Sequence, residues 1–154
     1  MSVQVQAHSF SAAQLLDQLQ ERCAGVGALA SFVGLVRDYG DAGEVRAMFL
    51  EHYPGMTERA LAGIEAEARV RWPLHEVLIV HRHGLLQAAE PIVFVGVGSA
   101  HRQVAFEACA YLMDQLKTRA PFWKKEMCAQ GAQWVDARAS CVNPVRCSVE
   151  AVLC

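Results

Sequence analysis

Apolar and polar residues alternate over residues 3–7, the period of a half-buried strand. Leu15, Leu16 and Leu19 then recur at helical spacing behind Ser11. Ser11 is a good N-cap, and Gln14 stands at the capping-box position, which predicts a helix to about Cys23. Gly25 and Gly27 break it. Residues 28–36 are apolar and rich in small side chains, a buried strand that runs into a polar, glycine-containing connection at 37–44. Residues 45–53 read as another strand, so 28–53 is expected to form a long hairpin with a mobile tip. After the Pro54-Gly55 turn, Thr57 is expected to cap a helix over 58–71. Leu61, Ile64 and Ala68 would be its buried stripe, and Glu58, Glu65, Glu67, Arg69 and Arg71 its solvated face. Trp72-Pro73 ends it.

A strand is expected from Val77 through His81-Arg82-His83 to Gly84, and a continuous apolar one from Pro91 to Val97. Gly96 and Gly98 there permit close backbone approach. The longest helix opens at Ser99-Ala100-His101-Arg102 and runs to about Thr118. Val104, Ala108, Tyr111, Leu112 and Leu116 lie on one of its faces, and Pro121 closes it off. Two short strands follow, 122–128 and 133–135, around a turn at Gly131. Periodicity then fades. The expected organisation is one domain over residues 1–139 and an irregular C-terminal extension over 140–154. The order of elements predicts an α+β fold with a mostly antiparallel sheet and helices packed on one side of it.

Composition narrows the function. Apolar residues make up 53% and charged residues 19% of the 154, a slightly greasy balance that hints at buried subunit interfaces. A net charge of −2 provides no global field for nucleic acid, so any anion site must be local. No apolar run approaches the ~20 residues that span a bilayer. The N-terminus lacks the pattern of a signal peptide, and the chain reads as cytoplasmic. The cysteines (Cys23, Cys109, Cys128, Cys141, Cys147 and Cys154) form no C-x-x-C pair and read as reduced thiols rather than a metal site.

The chain has only three lysines, Lys117, Lys124 and Lys125, all within nine residues that also hold Pro121, Phe122 and Trp123. Lysine, unlike arginine, can lose its proton when desolvated. A cation at the end of a helix is also favoured by the dipole alone, and Lys124 and Lys125 can equally be surface residues beside a packed Trp. Strand alternation puts Lys124 and Lys125 on opposite faces. Gly98-Ser99-Ala100-His101-Arg102 places backbone N–H groups and two basic side chains at a helix start, a candidate anion site. Arg37 stands where an apolar strand gives way to a loop, a common place for site residues. His52, His81 and His83 are assigned to packing or the surface. His81 and His83 share a face without further ligands at metal spacing.

Three stretches carry a family resemblance. They are Leu50-Glu51-His52-Tyr53-Pro54-Gly55-Met56-Thr57; Val93-Phe94-Val95-Gly96-Val97 with Ser99-Ala100-His101-Arg102; and Leu116-Lys117-Thr118-Arg119-Ala120-Pro121-Phe122-Trp123-Lys124-Lys125-Glu126. In this order they resemble the large, catalytic subunit of molybdopterin synthase, over residues 28–139. The resemblance implies an α/β-hammerhead-type fold with an added small antiparallel sheet. It implies a sulfurtransferase of molybdenum cofactor biosynthesis that turns cyclic pyranopterin monophosphate into the dithiolene of molybdopterin. Sulfur would come from the C-terminal Gly-Gly thiocarboxylate of a small ubiquitin-like partner, in a heterotetramer built on a homodimer of this subunit. It further implies substrate binding by Arg37, His101, Arg102, Lys117, Lys124, Lys125 and Glu126, with Lys117 and Lys124 catalytic, and no cofactor or metal. Leu35 stands where some relatives carry a basic residue, so a contact there would be apolar or through backbone. The competing reading is a non-catalytic module that binds a ubiquitin-like protein or a phosphate-bearing ligand.

Spacing adds one expectation. His101 and Lys117 are sixteen residues apart on one predicted helix, roughly 24 Å at about 1.5 Å per residue. One small pterin cannot span both, so the expected site is composite. Arg37, Lys117 and Lys124 would come from one subunit, and His101 and Arg102 from its twofold mate.

Overall fold

The computed structural model describes residues 2–40, 43–128 and 131–135. The loop tip at 41–42, the tail from 140 and its Cys141, Cys147 and Cys154 lie outside the described residues. The fold is α+β, with three helices and two sheets among the described residues. The first sheet is built from β1 (Val3–Gln6), β5 (Leu74–Arg82), β7 (Pro91–Ser99) and β2 (Ala28–Leu35), in that order. The second contains β3 (Tyr39–Gly40), β4 (Gly43–His52), β8 (Phe122–Cys128) and β9 (Gly131–Val135), with β6 (Gly84–Gln87) also paired to β4. Only the β1–β5 pairing is parallel among these.

Only the tip of the expected 28–53 hairpin forms, where Tyr39 and Gly40 pair with Glu44 and Gly43. β2 pairs with β7 and β4 with β6 and β8, so the two strands belong to different sheets. Both are apolar strands on either side of a polar loop, the pattern a hairpin would show. What separates them is the end of β2. Val36 N donates to Glu90 O at 2.9 Å, and Ala89 N donates to Val36 O at 2.8 Å. That exchange ties the end of β2 to the turn between β6 and β7, so the fold-back begins only at Asp38, whose carbonyl accepts from Val45 N at 2.8 Å.

The helices pack on both faces of the first sheet rather than on one. Val77, Ile79, Val93, Val95 and Val97 face α2 (Met56–Arg71) and α3 (Arg102–Arg119), which bury Leu61, Ile64, Ala68, Ala105, Ala108, Leu112 and Leu116 against them. The intervening Leu78, Val80 and Phe94 face α1 (Ala12–Arg22), through Leu15, Leu19 and Cys23. Consecutive strand residues point to opposite faces, so an unbroken apolar strand marks a sheet covered on both sides. Gly98 belongs to this second contact: a Cβ there would collide with Cys23 Sγ.

Two local expectations change. The N-cap of α2 is Gly55, at φ 77°, and its backbone N–H donates to the Glu58 carboxylate at 2.6 Å. Thr57 is instead fully buried and accepts from Tyr53 N at 3.1 Å. Glu65, expected in solvent, is buried between the Ser2 hydroxyl and Arg69, whose Nε lies 2.8 Å away. Ser11 caps α1 as expected, accepting from Gln14 N.

Candidate active site

The two sheets meet at the C-terminal end of α3, above an apolar floor of Val36, Met48, Leu50, Leu86 and Ile92. A cavity opens there. Leu35, Val36 and Arg37 line it from the end of β2, Val45, Met48 and Leu50 from β4, and His81 from β5. Ile92 and Val93 come from β7, Met113, Leu116, Lys117 and Ala120 from α3 and its cap, and Phe122, Lys124 and Glu126 from β8.

Strand register explains which side chains enter. Leu50 pairs with Lys124 and Met48 with Glu126, so these four share a face. The bulge between Val45 and Ala47 adds one residue, shifts parity and brings Val45 to that same face. Phe49 pairs with Lys125 and Glu51 with Trp123 on the reverse face. Lys125 therefore points away from the cavity, and its Nζ lies 5.3 Å from the centroid of the Trp134 ring.

Each charged group is held by its element. Arg37 follows Val36, which the β6–β7 turn anchors, and its guanidinium lies 5.8 Å from the Tyr39 ring. Lys117 occupies the last turn of α3. That turn is seated by buried Leu116 and clamped to α2 through Arg119, which donates to both Glu67 oxygens at 2.6 and 2.7 Å. Tyr111 also donates to Glu67, and with Arg119 it holds that carboxyl down at about 2. Lys124 Nζ is 2.6 Å from Glu126 Oε1, with little of either side chain exposed.

The cavity thus gathers Arg37, Lys117, Lys124 and Glu126. It does not include His101 or Arg102, which stand exposed at the opposite end of α3. His101 is the extended N-cap of that helix and makes no capping bond through its side chain. Three cations over an apolar floor can hold a small anion with a flat organic body.

The family model described as MoaE protein matches residues 5–119. The chain belongs to the MoaE family. The molybdopterin synthase catalytic subunit of Pseudomonas aeruginosa is 57% identical over 140 residues, which cover 91% of this chain and 93% of that one. A solved structure of the molybdopterin biosynthesis MoaE protein from Burkholderia ambifaria superposes with a TM-score of 0.78. It is 46% identical, and the match covers 96% of this chain and 95% of that one. The molybdopterin synthase structure from Staphylococcus aureus gives a TM-score of 0.79 at 29% identity, over 88% of this chain and 98% of that one.

The MoaE model's match takes in Arg37, His101, Arg102 and Lys117 and stops before Lys124, Lys125 and Glu126. One polar residue of the cavity was not among the sequence candidates. His81, assigned to packing or the surface, lines the pocket with its ring stacked on Phe122 at 3.8 Å. Its partner in the suspected pair, His83, stacks on His52 instead, also at 3.8 Å. Among the described residues no group of three or more His, Cys, Asp or Glu could hold a metal ion. The signal for His81 was positional: it is the first polar residue after the buried run Val77-Leu78-Ile79-Val80.

Proposed function

We infer that this chain is the catalytic subunit of a molybdopterin synthase. It converts cyclic pyranopterin monophosphate to molybdopterin with two sulfurs delivered by the C-terminal thiocarboxylate of a small ubiquitin-like partner. The observation that carries this reading is the single cavity shared by Arg37, Lys117 and Lys124 in a member of the MoaE family. The cations hold the substrate phosphate and take up charge as the cyclic phosphate opens. Lys117 transfers protons, and Lys124 binds and stabilises charge beside it. Sulfur arrives on the partner, so no cysteine nucleophile is needed. Cys23 and Cys109 are buried in the packing.

His101 and Arg102 complete the site from the twofold mate in this reading. Their placement at the far end of α3 from Lys117 supports it. Lys125 contributes through its backbone pairing with Phe49, and Glu126 through its grip on Lys124. Residues 1–139 make up the catalytic unit. No helix among the described residues is long and apolar enough to cross a membrane, which is in keeping with a cytoplasmic enzyme.

Reconstitution tests the reading. The purified chain, mixed with thiocarboxylated partner and cyclic pyranopterin monophosphate, is expected to yield the dithiolene product. Stable binding of the partner with no product would favour a binding module instead.

A further inference from the structure

His81 differs from every other polar side chain in the cavity. Arg37, Lys117 and Lys124 carry only donors. Glu126 accepts, but its Oε1 is held by Lys124 and its charge opposes an anionic substrate. The remaining described lining side chains are apolar. The imidazole of His81 is therefore the one neutral nitrogen acceptor among the described side chains of the pocket.

Its orientation is fixed from two sides. Nδ1 lies 2.8 Å from the backbone carbonyl of Arg82. A carbonyl oxygen can only accept, so Nδ1 carries the proton, and the lone pair of the neutral ring sits on Nε2. The ring face is pinned on Phe122, with 15° between planes. Behind it, buried Arg82 bonds to the carbonyls of Ala7 and Pro91 and to Glu90, which locks the backbone carrying the carbonyl. Nε2 meets no protein partner among the described residues. Among the described residues no buried side-chain nitrogen or oxygen lacks a partner, so an unpartnered Nε2 is exposed, on a side chain that lines the cavity.

We propose that His81 is a substrate-orienting residue: its Nε2 accepts a hydrogen bond from an N–H group of the pterin ring while the cations take the phosphate. This deepens the synthase reading and rests on it. A pterin offers ring and amino N–H donors that lysine and arginine cannot satisfy. A neutral acceptor satisfies one without adding negative charge near the phosphate. The role is acceptance rather than proton carriage. Burial lowers the imidazole to about 4, where it has little affinity for a proton at neutral pH.

The test is a binding titration on the complex of this chain with its partner bearing an ordinary C-terminal carboxylate, so that no turnover occurs. His81→Asn keeps a donor for the Arg82 carbonyl and removes the Nε2 acceptor, and His81→Gln returns an amide oxygen near that place. His81→Asn is expected to weaken cyclic pyranopterin monophosphate about tenfold, the worth of one hydrogen bond. His81→Gln should come back to within about threefold of wild type, and inorganic phosphate should bind all three alike. With thiocarboxylated partner and saturating substrate, kcat should change less than about threefold. His81→Phe keeps the stack on Phe122 without a lone pair, should show the same loss as Asn, and serves if the Asn variant does not fold. Unchanged pterin affinity, equal weakening of pterin and phosphate, or a fall in kcat at unchanged affinity each overturns the proposal. Failure of the wild-type complex to make dithiolene would instead refute the synthase reading.

Discussion

Lys124 and Glu126 form an ion pair of 2.6 Å on the inner face of β8, with side-chain exposures of 15% and 9%. Two residues apart on a strand, they point the same way, so the pair is made by local geometry and enclosed by the cavity wall. A charge so enclosed is costly to leave alone. Glu126→Gln is therefore expected to destabilise the chain by about 3 kcal/mol, the penalty for breaking a buried pair at one end. Replacing both, as Lys124→Met with Glu126→Leu, should recover most of that stability but not the activity. Denaturant unfolding of the single and double variants measures the first effect, and product formation the second. Equal stability of Glu126→Gln and wild type would show that solvent already screens the pair.

Lys117 is half-buried at the end of α3 and lines the cavity. Lys117→Ala should lower the rate of product formation by about 10²-fold or more, the range for a lost proton-transfer group. Lys117→Arg retains the charge but cannot give up a proton at working pH. It should bind substrate and still fail to turn it over. Single-turnover kinetics with thiocarboxylated partner separate the two steps, and a fully active Lys117→Arg would reduce Lys117 to a phosphate ligand.

The carboxyl of Glu67 gives a prediction in pH. Arg119 and Tyr111 lower it from the ordinary 4.5 to about 2 in the folded chain. Between these values the unfolded chain binds a proton that the folded chain does not, so stability falls as pH falls. The contribution is complete above pH 4.5 and is lost by about pH 2. Acid unfolding of wild type should thus be steeper across that window than that of Glu67→Gln. The same contact holds the last turn of α3, so Arg119→Met should slow product formation by several-fold through Lys117. An unaltered rate in Arg119→Met would show that Leu116 alone seats that turn.

The elements were largely legible because their periods are clear. Ser11 as a cap, the stripe Leu61-Ile64-Ala68 and the apolar run 92–97 each have a local cause. Strand partnership was not legible, because β2 and β4 carry hairpin-like patterns and are separated by backbone bonds from Val36 to Ala89 and Glu90, distant in sequence. Glu65 looked solvated because its charge matched its helix neighbours. Its burial depends on Ser2, which reaches it from the far end of the chain. At the site, the lysine cluster stood out by composition, and alternation separated Lys124 from Lys125. His81 was hidden because a histidine on a strand has the same local pattern whether it packs or faces a cavity. Only the junction of the two sheets distinguishes them.

The distance along α3 supplies the most decisive prediction. Lys117 lies at the cavity and His101 at the other end of an eighteen-residue helix, roughly 24 Å away at about 1.5 Å per residue. If each site takes Lys117 from one subunit and His101 from its mate, two inactive variants can repair one another. In a mixed dimer of Lys117→Ala and His101→Ala chains, one site carries both lesions and the other carries neither. Random exchange makes half the dimers mixed, and half of their sites are intact, so activity should return to roughly a quarter of wild type. Each variant alone should remain nearly inactive. The measurement is product formation after the two purified variants are unfolded, mixed and refolded together, against each refolded separately. Complementation near a quarter requires a shared site. Activity that stays at the level of the separate variants would place His101 outside the reaction or within its own subunit's site.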